Sequence, residues 1–75
     1  MADTEMKTNN VRKIREERMM MSKMELARLA GVSAATIDRI ERGESCRMET
    51  KRKIVLALGF SLADKEDVFP DESFR

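Results

Sequence analysis

Apolar and polar positions follow a helical period along most of the chain. Val11, Ile14 and Arg18 fall on one face at steps of three and four, with Arg12, Lys13, Glu16 and Glu17 largely elsewhere. This spacing predicts an amphipathic helix of about two turns, with Asn10 as its N-cap. Ser22-Lys23-Met24-Glu25 has the Ser-x-x-Glu capping-box pattern, in which the serine oxygen and the glutamate carboxylate each satisfy a backbone N–H at a helix start. A second helix is therefore expected from Lys23, with Leu26, Leu29 and Ala30 inward and Gly31 as its stop. Ser33 can cap a third helix from Ala34, whose stripe is Ile37 and Ile40 and whose end is Gly43. A fourth is predicted over residues 48–58, burying Met48, Ile54, Val55 and Leu58 and ending at Gly59. Ser61 opens a last short helix that returns Leu62, Val68 and Phe69 to the core before Pro70. No segment alternates convincingly enough to be a strand.

The pattern divides the chain into a polar, aperiodic arm over residues 1–9, a folded domain over 10–69, and a flexible acidic tail over 70–75. At 75 residues one core must serve every purpose. The single cysteine, Cys46, excludes an internal disulfide and reads as an ordinary loop thiol. With no histidine, the common zinc sets and Ser-His-Asp or Cys-His catalysis cannot be assembled. We expect a protein that is not an enzyme and needs no cofactor and no metal. The longest uncharged apolar run, Met19 to Met21, is far too short for a membrane span, and the N-terminus lacks the order of a secretion signal, so a cytoplasmic location is expected. Met21 and Met24 are expected to fill gaps between the first two helices.

Charge changes this picture more than composition does. The formal net charge is +1, but residues 11–59 hold 12 Lys/Arg against 7 Asp/Glu, a net of +5, and both ends are acidic. A basic middle suits a polyanion. The chain has no Trp or Tyr, and none of its three Phe lies in the basic centre, which leaves no platform for stacking RNA bases.

The span from Leu26 to Gly43 has a definite physical logic. Small Ala27 lets two helices approach, Gly31 permits the reversal, Val32 plugs the gap beneath the turn, and Ile37 with Ile40 seats the next helix across the previous one. Leu26-Ala27, Gly31-Val32-Ser33, Thr36-Ile37, Ile40-Glu41 and Gly43 together resemble the pattern of the Cro/CI-type, lambda-repressor-like helix-turn-helix family. The likeness extends to Val11, Ile14 and Arg15 and to Lys53-Ile54, Ala57-Leu58-Gly59-Phe60-Ser61-Leu62, roughly residues 10–69. It implies an all-α, five-helix DNA-binding domain in which the helix over 34–42 enters the major groove of double-stranded DNA. It also implies a partly buried ion pair between Arg15 and Glu41.

The candidate DNA contacts follow from side-chain chemistry at these positions. Ser22 and Lys23 head helix 2 and Ser33 heads helix 3, where free N–H groups and partial positive charge suit phosphate oxygens. Relatives often carry glutamine in the place of Lys23. Arg39 is the first choice for base readout, since a guanidinium pairs bidentately with guanine. Ala34 and Ala35 offer only close approach or a methyl contact, so direct readout rests on few side chains. Thr36 is able to bond phosphate, a base or its own helix backbone. Asp38 repels phosphate unless it accepts from cytosine N4 or holds Arg39, and pairing with Arg42 at i, i+4 is an equal alternative. Arg42 and Arg47 flank the far end as neutralisers of the DNA backbone.

These readings point to a transcriptional regulator, with repression as the expected sign. The rival is an antitoxin or other protein-interaction module using the acidic tail, with a toxin or similar protein as partner. A homodimer on DNA would use the helical body or residues 60–75, with Phe60, Phe69 and Phe74 as contacts and half-sites about 34 Å apart.

Overall fold

In the computed structural model, which describes residues 9–70, every element is helical. Helix α1 covers Val11–Lys13 and widens into a π-helical turn over Ile14–Arg18. Helix α2 is Lys23–Ala30, α3 is Ala34–Glu41 and α4 is Met48–Ala57. A 3-10 turn over Leu62–Asp64 runs into α5, Lys65–Val68. The described residues form an all-α arrangement of five helices, as the resemblance implies.

The stops and starts are local in origin. Ser22 accepts from Glu25 N while Glu25 accepts from Ser22 N, so the capping box is complete in both directions. Gly31 takes φ 74°, the left-handed conformation that a side chain bearing Cβ disfavours, and its N–H closes α2 onto Arg28 O. Val32 is half-buried beneath this turn and packs on the core.

Val11, Leu26, Ile37, Ile54, Val55, Leu58, Val68 and Phe69 are all but fully buried. Each such aliphatic or aromatic side chain contributes about 1.5–3 kcal/mol relative to exposure, and Ile37 and Ile40 together decide how α3 is seated. Ala27 and Ala30 are buried where α2 meets its neighbours, the close approach that small side chains allow.

Several expected positions are corrected. Asn10 does stand at the N-cap of α1, its carbonyl accepting the Ile14 N–H, but its side chain makes no capping bond. Asn9 Oδ1 accepts the Val11 N–H at 3.1 Å, and Asn10 instead donates its own N–H to Val68 O and its Nδ2 to Asp67 O, tying the start of the domain to α5. Asn9, assigned above to the arm, also donates to Ile40 O at 2.8 Å; the remainder of the arm and residues 71–75 of the tail lie outside the described residues. Arg18 leaves the inward stripe, because the extra residue in the π turn rolls it outward until its guanidinium lies 5.5 Å from the Phe60 ring centre. Leu29, at 62% exposure, does not line the core; Ala27 takes that place on the other flank of the stripe. Met24 and Leu62 are exposed as well, and Met48 is only half-buried, whereas Met21 does pack against the core. Phe69 is 1% exposed and belongs to the core, so it is not available to a second copy of the chain.

Arg15 is a buried charge, and the Glu41 side chain it meets is buried with it. Its Nε donates to Glu41 Oε2 at 2.7 Å and its Nη2 to Glu41 Oε1 at 3.0 Å, a two-bonded fork, while Nη1 donates to Met21 O at 2.9 Å. The bond to Glu41 holds the guanidinium above its ordinary value against the opposing effect of burial, with Glu16 adding to it. Arg15→Ala or Glu41→Ala should each cost about 3 kcal/mol in a urea melt, since either strands a desolvated charge. Replacing both by apolar residues together should cost less than either single change, and Arg15→Lys should behave like the loss because an ammonium cannot form the fork.

Candidate nucleic-acid interface

Two eight-residue helices joined by the turn over residues 31–33 form the surface of interest. Helix α3 is buried along Ile37 and Ile40 and at the Glu41 side chain; Ala35 and Arg39 are exposed, Ala34, Thr36 and Asp38 half-buried, and Arg42 just past its end is exposed. Ser33 Oγ accepts the Thr36 N–H at 3.1 Å and lies 2.9 Å from Thr36 Oγ1, so both hydroxyls gather at the N-terminus of α3. The Thr36 hydroxyl therefore serves the cap in this structure.

Asp38 joins the two helices electrostatically. Lys23 Nζ donates to its Oδ1 at 2.7 Å, and Arg42 Nη2 lies 3.1 Å from its Oδ2. The bond from Lys23, then the charges of Arg42 and Lys23, hold the Asp38 carboxyl below the ordinary aspartate value of 3.8. Of the partners foreseen for Asp38, Arg42 is present, and Arg39 contributes by charge alone. The bond from Lys23 was not foreseen. Fifteen residues separate the two, and only the packing of α2 against α3 brings them together.

Arg39 is 53% exposed, with Nε 3.9 Å from Glu44 Oε1. The sequence pattern gives no sign of Glu44, which follows Gly43 and leaves the helical period. Arg47 stands exposed at the head of α4, beyond the loop after α3. Ser22 is exposed at the head of α2, one residue before Lys23. Among the described residues no group of His, Cys, Asp or Glu could hold a metal ion, and no helix is long and apolar enough to cross a membrane.

A short turn between two helices, the second exposed along its polar face and flanked by Lys and Arg, defines a helix-turn-helix nucleic-acid-binding domain. The family model described as Helix-turn-helix matches residues 11–65, and the chain belongs to this Cro/CI-type family of DNA-binding regulators. No curated protein matches the chain closely.

The depressed Asp38 value has a definite consequence for pH. A carboxyl whose folded value lies below its unfolded one adds stability at pH above 3.8 and loses it as pH falls through the folded value. The cluster of Lys23, Asp38 and Arg42 should thus persist at neutral pH and open only in acid. Carboxyl-carbon NMR should show the Asp38 midpoint below 3.8, moving up in Lys23→Ala; an unmoved midpoint would exclude the bond.

Proposed function

We propose that the protein is a sequence-specific double-stranded DNA-binding transcriptional regulator, acting as a repressor in the cytoplasm, that reads the major groove with the helix over residues 34–42. The observation that supports this best is the one-sided burial of α3. Ile37 and Ile40 anchor it while Ala35, Arg39 and Arg42 stay in solvent, and a rod seated in this way can enter a groove without unfolding anything.

In this reading Arg39 is the base reader. Its contact with Glu44, at 3.9 Å between exposed groups, is weak enough to be exchanged for guanine O6 and N7. Ala34 and Ala35 permit close approach and a methyl contact with thymine. Ser22, Ser33 and Thr36 lie where the helix N-termini meet phosphate, with Lys23, Arg42 and Arg47 supplying charge. A two-fold dimer would place half-sites about 34 Å apart. Phe60, half-buried beside Arg18, is the contact candidate left in the described body, since Phe69 is core and Phe74 lies outside the described residues.

A second reading, an antitoxin or other protein-interaction module, is favoured by one specific observation. Met20, Leu29 and Leu56 are 85%, 62% and 55% exposed, and two shallow grooves on α2, one toward Met19–Met21 and one toward α4, share Leu29. The acidic tail assigned to that task lies outside the described residues.

Selection from a random duplex pool separates the readings. A DNA regulator should enrich an inverted repeat, with affinity falling steeply as salt rises. Arg39→Ala should relax preference at one base pair by about 1–3 kcal/mol, whereas Arg47→Ala should weaken all duplexes alike and flatten the salt slope by about one. No enrichment and no salt dependence would leave the protein-interaction reading.

A further inference from the structure

Lys23 and Arg42 approach one carboxylate from two different elements. Lys23 opens α2, Arg42 follows the last turn of α3, and Asp38 takes one cation on each oxygen at 2.7 and 3.1 Å. The three side chains are 43%, 62% and 40% exposed in that order, so all of them face solvent. Exposed pairs of this kind contribute little to stability, and folding alone gives no reason for gathering them. A DNA phosphate is also one negative charge shared between two oxygens, and it would accept from the same ammonium and guanidinium.

We propose that Asp38 is a positioning residue that competes with DNA phosphate for Lys23 and Arg42. In the unbound protein it holds both cations ready on one side of the helix-turn-helix and partly neutralises them. A duplex gains them only by displacing the carboxylate, which then remains as a like charge beside the phosphates. Asp38 therefore lowers the affinity for DNA of any sequence. Its carboxyl stays ionised at neutral pH, so the competition is not relieved by protonation there. The inference rests on the DNA-binding reading above.

The full chain is titrated with a fluorescent duplex of random sequence across a salt series. Asp38→Asn should bind about tenfold more tightly at low salt, and its plot of log affinity against log salt should be steeper by about 0.9, one further counterion released. In a background of Lys23→Gln with Arg42→Gln the same substitution should gain much less, keeping only the relief of a like charge beside the phosphates. Equal affinity and slope for wild type and Asp38→Asn would overturn the proposal. So would an undiminished gain in the background lacking both cations, which marks a general charge effect. Should Asp38→Asn lose its helical circular dichroism, the wild type decides: adding the random duplex should shift the Lys23 Nζ and Asp38 carboxyl NMR signals, and unmoved signals refute the exchange. Wild type that binds no duplex at any salt removes the DNA reading and this inference together, whereas wild-type binding with unaltered variants removes the inference alone.

Discussion

A single buried guanidinium holds α3 at its angle to the body of the protein. Arg15 reaches from the widened end of α1 to both oxygens of Glu41, the last residue of α3, and to the Met21 carbonyl that precedes α2. Three segments are thus tied to one planar group whose fork tolerates little rotation. Asn9 adds a second tie, from the entry of α1 to Ile40 O. The far end of α3 is fixed by polar bonds and its inner stripe by Ile37 and Ile40, so its exposed face is held in one orientation without any side chain on that face being used.

The π turn and the position of Arg15 belong together. In a regular helix Arg18 would share the inner stripe with Val11 and Ile14. The wider turn keeps Val11, Ile14 and Arg15 inward and moves Arg18 onto Phe60, where a cation over an aromatic face stays in solvent. The periodicity of the sequence could not reveal this, because it presumes a constant 3.6 residues per turn. The resemblance to the helix-turn-helix family did single out Arg15 and Glu41, since those two positions are read from a motif and not from a period.

The same distinction explains what else was legible. Signals that act within four residues are legible in the sequence: the reciprocal cap of Ser22 and Glu25, the cap at Ser33, and the left-handed Gly31. Readings that depended on which flank of a helix meets a neighbour were less secure. Leu29 and Met24 are apolar and correctly placed in α2, yet the neighbours of α2 cover the flank bearing Ala27 instead. Asn10 stands at the N-cap of α1 but spends its side chain on Asp67 O, 57 residues away. At the candidate interface the residue types were legible from the motif, but the bond between Lys23 and Asp38 exists only once α2 and α3 have packed.

Burial separates the ion pairs that involve α3 by task. The side chains of Arg15 and Glu41 are 6% and 4% exposed, so neither charge can change partners without a large desolvation penalty, and their geometry is permanent. The contacts of Lys23 and Arg42 with Asp38, and of Arg39 with Glu44, are between exposed groups and are not locked by burial. All of them involve α3, the permanent pair at its C-terminal end and the exposed ones along its outer face. A helix held in this way can alter every charge contact it presents to a ligand while its own position stays constant. Such an arrangement suits the reading of a polyanion whose phosphates occur at fixed spacing, because the scaffold supplies the spacing and the mobile pairs supply the charge.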